Sequence, residues 1–335
     1  MSQQYDLYAL GNALVDIEIE VDAEQLSELS VEKGVMTLVD EPRHDYLLEH
    51  LQGKIHKRAS GGSAANSVMA LAQLGGKAFH SCRVAKDEAG EFYAADLRDA
   101  GVDNNLNHLL DNEGTTGKCL VMITSDADRT MNTYLGISSE LQQQDLDYDA
   151  LAASKYLYIE GYLVSGDSTM AAALAAKNHA LENGVKVATT LSDPNMVRFF
   201  KPQIEQILEG GVDLLFCNDD EAKEFTAKET VEEALEALKA YSKQIAITLG
   251  KQGAVFFDGN QLHQIEPHLV QAVDTNGAGD MFAGAFMYAL TQGYSYADAG
   301  RLASFASAHL VTQFGPRLHG DAITQLQEYN QQEFA

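Results

Sequence analysis

Residues 272–284 read AVDTNGAGDMFAG, and the small residues and acids of this run are equipped for chemistry. A short apolar lead-in (Val270, Ala272, Val273) meets a glycine-rich turn. The turn runs into a helical pattern of Met281, Phe282, Ala285, Phe286, Tyr288, Ala289 and Leu290. Gly277, Ala278 and Gly279 leave backbone N–H groups uncovered at a helix N-terminus, where the macrodipole favours an anion. Asp280 falls in the first turn, facing that anion. An anion cradle beside a carboxylate is the minimal equipment for moving a phosphoryl group onto a hydroxyl. The cradle holds the spreading charge and the carboxylate accepts the proton. A single glycine turn with a first-turn acid is ordinary dipole compensation. The uninterrupted run from Asp274 through Thr275, Asn276 and the cradle to Asp280 is what carries the functional reading.

Three further stretches place polar groups where a ligand would sit. Tyr5–Gly11 is a short apolar run ending in glycine, as a buried parallel strand does. Asn12 and Asp16 follow its end, and ligands of open α/β sheets sit beyond strand C-termini. Ala59–Leu74 (ASGGSAANSVMALAQL) opens with Gly61 and Gly62, which permit close backbone approach. Ser63 is the expected N-cap, and Asn66 lies one turn inside, within reach of a bound hydroxyl. Glu160, in YIEGYL, is a carboxylate that could hold sugar hydroxyls.

The elements that must position these residues follow from periodicity. Ile17–Val21 alternates apolar and charged and reads as a half-exposed antiparallel strand. With Val35–Val39, Gly117–Thr124 and Arg129–Leu135 it is expected to form a small β lid from residues 16–60 and 110–135. Leu106–Glu113 reads as a polar loop and Asp126–Thr130 as a turn. Beyond residue 150 strands and helices alternate. Strands are expected at 156–159, 185–191, 212–217 and 245–249, with helices at 168–181, 201–208, 219–226 and 231–241. That recurrence argues right-handed βαβ units and a parallel sheet. Tyr296–Leu310 reads as a long helix rich in Ala and Ser. No repeat, low-complexity tract or linker divides the 335 residues, so one α/β unit with a lid is expected.

Composition narrows the class. Lys+Arg number 23 against 49 Asp+Glu, a net charge of −26. This balance opposes nucleic-acid grooves and anionic membranes. Cys82, Cys119 and Cys217 lie in apolar runs without metal-ligand spacing and are expected as buried thiols. The first residues, MSQQYD, lack a signal-peptide layout, and a cytoplasmic location is the expectation. A dinucleotide fingerprint fails because Phe282 holds the third glycine position. GxxxxGK[ST], GxSxG and HExxH are absent.

The 274–280 run resembles the second signature, DTxGAGD, of the ribokinase or PfkB family of sugar and nucleoside kinases, and matches every fixed position. GGSAAN resembles the family's first signature, and the resemblance covers nearly the whole chain. It implies a three-layer α/β/α domain with a mostly parallel sheet and a small β-sheet lid. It also implies an ATP-dependent kinase acting on a primary hydroxyl. Asp280 would be the base and the amides of 277–280 would stabilise the transferring group. By the same resemblance Gly61, Gly62, Ser63 and Asn66 contact a ribose-like part of the acceptor. Asn12 and Asp16, in GNALVDIEIEVD, match the substrate strand of the family's adenosine kinases. Asn195 lies near the nucleotide phosphates. Asn218 and Glu221 match N-x-x-E, which organises Mg²⁺ through water. Thr248, Gly250 and Gly253 match T-x-G-x-x-G along the ATP groove, and Asn276, Gly277 and Gly279 also serve ATP. Gly315-Pro316 falls where relatives coordinate a monovalent cation such as potassium.

Two positions depart from the pattern. Ala85 stands for the first glycine of G-x-D-x-x-G, of which Asp87 and Gly90 match. Glu160 stands where many adenosine kinases are apolar. The 5′-hydroxyl of adenosine is the expected acceptor. A ribokinase- or fructokinase-like sugar kinase and a non-catalytic nucleoside sensor are the alternatives, and an intact Asp280 argues against the sensor. Partners are then ATP and a small nucleoside or sugar, with a monomer or homodimer.

Overall fold

The computed structural model describes residues 4–51, 55–106, 112–126 and 128–334. Its strands, in chain order, are β1 (Tyr5–Leu10), β2 (Leu14–Glu20), β3 (Met36–Leu38), β4 (Ile55–Gly61), β5 (Ala78–Ser81), β6 (Asp103–Asn104), β7 (Thr116–Ile123), β8 (Arg129–Gly136), β9 (Ser154–Ile159), β10 (Lys186–Thr190), β11 (Val212–Asn218), β12 (Ser242–Thr248), β13 (Ala254–Phe257) and β14 (Leu262–Ile265). Most of the polar loop expected at Leu106–Glu113 lies outside the described residues.

Nine strands form one sheet in the order β14-β13-β12-β11-β10-β9-β1-β5-β6, parallel except for the β12–β13–β14 meander. The apolar runs predicted this: strands covered by helices on both faces need side chains that are apolar on both faces. In β1, Leu7 and Ala9 join the core on one face, with Val68, Phe216 and Phe286. Tyr8 and Leu10 join the core on the other, with Leu157, Ile159 and Ile245. This gives three layers, α/β/α, around the parallel strands. Among the described residues no helix is long and apolar enough to cross a membrane. Cys82, Cys119 and Cys217 are buried and form no disulfide.

The other five strands form a second sheet, β3-β8-β7-β2-β4, built from residues 14–61 and 116–136. Here β2 corrects the sequence-based picture. It runs parallel to β7 and antiparallel to β4, and it is buried from Leu14 to Ile19, with only Glu20 exposed. The alternation is real, but it does not separate core from solvent. Val15, Ile17 and Ile19 pack with Leu26 and Leu47 of the helices Ala23–Glu28 and Glu41–Leu51. Asp16 and Glu18, on the other face, are also covered, at 6% and 1% exposed. Glu18 lies under Gly315, where an added Cβ would sit 2.8 Å from its Oε1.

Two helix starts also differ from expectation. The helix Pro194–Leu208 begins at the Asp193-Pro194-Asn195 turn, with Asp193 as N-cap and Pro194 in the first turn. A break at Phe200, just ahead of Pro202, hides this continuity from the pattern. The helix Ser63–Gln73 is preceded by Gly62 as N-cap, so Ser63 is not the cap.

Candidate active site

A cavity of about 720 Å³ lies where the C-terminal ends of β1, β9, β10, β11 and β12 face the second sheet. Among the residues singled out above, Asn12, Asp16, Gly62, Ser63, Asn66, Glu160, Asn218, Glu221, Thr248, Gly250, Gly253, Asn276, Gly277, Ala278, Gly279 and Asp280 line it. Two do not. Gly61 lies behind Asp16, where an added Cβ would sit 2.1 Å from Oδ1, so its place is to make room for that carboxylate. Asn195 is turned into a helix start, its N–H donating to Asp193 Oδ1 at 2.7 Å, and Asp193 and Met196 face the cavity instead.

Asp280 stands half-buried in the first turn of the helix Ala278–Thr291. Ser63 Oγ donates to its Oδ1 at 2.6 Å and Asn66 Nδ2 to its Oδ2 at 2.9 Å. Because Gly62 takes the cap position at φ 98°, the Ser63 hydroxyl is left to make this contact. Burial raises the Asp280 carboxyl above the usual carboxylate range, while Ser63, Asn66, Arg129 and Arg317 pull it back. A base displaced towards working pH is better matched to proton abstraction.

The turn before it is held from both sides. Gly277 has φ 74°, and an added Cβ would sit 2.8 Å from Pro316. Asp274 accepts the Asn276 N–H at 2.8 Å and the Gly315 N–H at 2.9 Å. The expected row of uncovered amides is corrected at Ala278, whose N–H turns to the Thr275 carbonyl at 3.3 Å to close the bend. Gly279 and Asp280 follow in the first turn, where helix geometry offers amides no partner. Gly279 opens onto empty space, with nothing within 4 Å of an added Cβ.

Glu160 and Asp16 form the floor. Glu160 Oε1 accepts Asn12 N–H at 3.2 Å and Asn12 Nδ2 at 2.8 Å, and Oε2 accepts Ala64 N–H at 2.9 Å. Asn12 Oδ1 accepts from Ser138 Oγ at 3.1 Å. Both Glu160 oxygens are therefore engaged by backbone and amide donors, tying the end of β1 to the start of the Ser63–Gln73 helix. Burial pushes Glu160 up to about 7 against these hydrogen bonds. Burial also pushes Asp16 up to about 7, Arg317 opposing and Glu18 adding to the rise.

On the nucleotide side, parallel pairing sets Asn218 opposite Thr248. Asn218 and Glu221 form a reciprocal capping box: Glu221 N–H donates to Asn218 Oδ1 at 2.8 Å. In return, Asn218 N–H and Nδ2 donate to the Glu221 carboxylate at 3.0 and 2.8 Å. Burial pushes Glu221 to about 8, with Asp193 and Asp280 adding repulsion and Arg129 opposing it. Such an acidic wall favours a cation. Among the described residues no group of three or more His, Cys, Asp or Glu could cage a metal. Mg²⁺ keeps several waters and needs only one or two carboxylates plus phosphates from its site, so a single carboxylate of this wall would be enough for it. Glu221 lines the cavity, and the box fixes its carboxylate there, so it is the charged group of this pair that would stand nearest such an ion.

Arg129 was missed from sequence. It projects from β8, half-buried, and Nη1 donates to the Thr275 carbonyl at 2.5 Å, joining the second sheet to the cradle turn. It also lines the cavity. Its signal was compositional: a cation in a β-prone run of an acidic chain. The second sheet otherwise presents Leu14, Met36, Leu38, Cys119, Met131 and Leu135 to the cavity, an apolar ceiling broken by Thr133 and by Asp16, which reaches from β2 towards the core side.

A three-layer α/β/α core with a second, smaller β-sheet, an anion-binding helix start and an adjacent carboxylate define a phosphotransferase with an alcohol group as acceptor. Residues 40–321 match the model of the pfkB family carbohydrate kinases, and the chain belongs to that family. A solved adenosine kinase from Sinorhizobium meliloti superposes with a TM-score of 0.92 at 34% identity, over 97% of this chain and 99% of that one. A probable sugar kinase from Rhizobium etli does so with a TM-score of 0.92 at 34% identity, over 99% of both. An adenosine kinase from Schizophyllum commune is 30% identical over 93% of this chain and 96% of its own length. Family membership makes ATP the phosphoryl donor.

Proposed function

We propose that this chain is an adenosine kinase-like nucleoside kinase, transferring the γ-phosphoryl group of ATP to the 5′-hydroxyl of adenosine. The observation that carries the reading is the two-sided cavity. A ribose matches the polar group of Asn12, Asp16 and Asn66, and a flat, largely apolar base matches the patch of Leu14, Met36, Met131 and Leu135 on the second sheet. A bare hexose would leave that patch without a partner. The likeness to proteins named as adenosine kinases supports the same choice. In this reading Glu160 is a strut for Asn12, since its oxygens are already engaged.

In the reaction the 5′-oxygen bonds to the γ-phosphorus as the bond to the β–γ bridging oxygen breaks, and ADP leaves. Asp280 takes the hydroxyl proton. The Gly279 and Asp280 amides and the Arg129 guanidinium stabilise charge on the transferring oxygens. Asn218 and Glu221, with Thr248, Gly250, Gly253 and Asn276, frame the nucleotide. Mg²⁺ facing Glu221 would neutralise phosphate charge within this acidic wall. Potassium, if used, belongs by family resemblance to the Gly315-Pro316 loop behind Gly277.

The test is a panel: protein, ATP and Mg²⁺ with adenosine, inosine, ribose or fructose, read by mass. A phosphate gained by adenosine is the expected result. Phosphorylation of ribose or fructose alone overturns the nucleoside assignment and leaves a sugar kinase. Adenosine binding with no ADP release indicates the sensor.

A further inference from the structure

The loop behind the cradle also reaches the point where the second sheet joins the core. Arg317 is 5% exposed. Its Nη1 donates to Ser60 Oγ at 2.8 Å and to Asp96 Oδ2 at 2.6 Å, and its Nη2 donates to the Ser60 carbonyl. Asp96 in turn accepts the Ser60 N–H at 3.2 Å and the Ser60 hydroxyl. The N–H, carbonyl and hydroxyl of one residue are thus all held by a single ion pair.

Ser60 sits at a consequential place. It is the last residue before Gly61-Gly62, where the chain leaves β4 for the Ser63–Gln73 helix. Gly61 lies against the Asp16 carboxylate, and Gly62 lies against the Asn12 carbonyl, 2.2 Å from where a Cβ would be. A shift of Ser60 is therefore passed directly to both floor residues. At the other end of the loop, Pro316 packs on Gly277 and the Gly315 N–H is held by Asp274. A guanidinium suits this place because its planar fork serves several acceptors at fixed angles, which a lysine ammonium does not. Nothing in the signature motifs points to Arg317, and it does not line the cavity.

We propose that Arg317 is a positioning residue for the acceptor: by locking Ser60 it holds Gly61 and Gly62 so that Asp16 and Asn12 keep the geometry that binds the sugar hydroxyls. The inference rests on the kinase reading only in that an acceptor occupies the floor beside Asp16.

The test compares Arg317→Met, Arg317→Lys and Ser60→Ala with the wild type, using the acceptor the wild type phosphorylates in the panel above. Arg317→Met is expected to raise the acceptor KM by at least ~10-fold while the ATP KM stays within about twofold. Arg317→Lys recovers part of the loss, and Ser60→Ala, which keeps the Arg317–Asp96 ion pair, raises the acceptor KM by roughly threefold or more. Equal rises in both KM values, or an unchanged acceptor KM in folded variants, overturn the proposal. If Arg317→Met does not fold, Ser60→Ala decides by the same criterion. If the wild type phosphorylates no member of the panel, the kinase reading fails on its own. Adenosine and ribose binding by calorimetry to wild type and Ser60→Ala then judges Arg317: weaker binding to the variant supports the proposal, equal binding overturns it.

Discussion

Two carboxylates stand in the first turn of a helix and face the same cavity, yet they are built in opposite ways. Glu221 is satisfied by its own N-cap, three residues away, in a closed box. Asp280 is satisfied by Ser63 and Asn66, which lie 217 and 214 residues away on another helix. The first is local structure that happens to face a ligand site. The second exists only when the helices Ser63–Gln73 and Ala278–Thr291 pack together. A carboxylate held by tertiary contacts is set up for a task at a defined point in space. One held by its own cap tolerates a looser role, such as facing a hydrated ion.

The sharpest way to break this contrast is Asp280→Asn. It keeps shape and removes the base, so turnover should fall by at least ~10²-fold while acceptor affinity, read by calorimetry, is retained. Unchanged turnover would remove the assigned base and with it the contrast. Glu221→Gln should act on the other axis: the KM for MgATP and the Mg²⁺ midpoint rise by about tenfold, with the acceptor KM unmoved and a smaller loss of turnover. An equal effect of the two substitutions on turnover would mean that both carboxylates belong to the chemical step.

The same contrast explains what was readable in the chain. Asn218 and Glu221 stand at capping-box spacing, and Asp280 follows a glycine run that starts a helix, so each could be placed on its element. The parallel sheet was readable because β9, β10 and β11 are short, largely apolar runs that alternate with helices. What sequence could not show is which distant groups meet. The bond from Arg129 to the Thr275 carbonyl spans 146 residues, and that from Arg317 to Ser60 spans 257. The acids of β2 misled for a related reason. Alternation reports two different faces, and solvent on one of them was an assumption. Helices cover one face, and the cavity and the Gly315 loop take the other. Ser63 has strong capping chemistry, yet Gly62 displaces it because the turn requires φ 98° there.

A pH titration of stability sharpens the comparison further. Glu221, Asp16 and Glu160 are raised in the fold to about 8, 7 and 7. A carboxyl raised by folding holds its proton longer in the native state than in the unfolded chain. Its contribution is present at low pH and is lost as pH rises through the folded value. His80, lowered to about 4, and His44 and His268, lowered by burial, act oppositely, but chiefly below their unfolded value near 6.5. Among the described residues the raised carboxyls outweigh these imidazoles between pH 6.5 and 8, because the imidazole contribution fades over the unit above 6.5. The Tm of the ligand-free protein should therefore fall across that window, and Glu221→Gln should flatten the part near pH 8. A Tm that rises there contradicts the buried-acid picture.

The smallest effects separate the two carboxylates most cleanly. Asn218→Ala deletes an N-cap and should cost about 1 kcal/mol of stability in denaturant unfolding. Ser63→Ala deletes no cap, because Gly62 occupies that position, and should cost less. Its effect should appear instead in the pH–rate profile. The Ser63 hydroxyl lowers the Asp280 carboxyl against the rise caused by burial, so removing it lets that carboxyl climb. The base is then protonated at higher pH, and the acid limb of turnover moves upward, while Asn218→Ala leaves that limb in place. Should Asn218→Ala move the limb and Ser63→Ala leave it, the catalytic proton would belong on Glu221, and the assignment of base and ion-facing acid would be reversed.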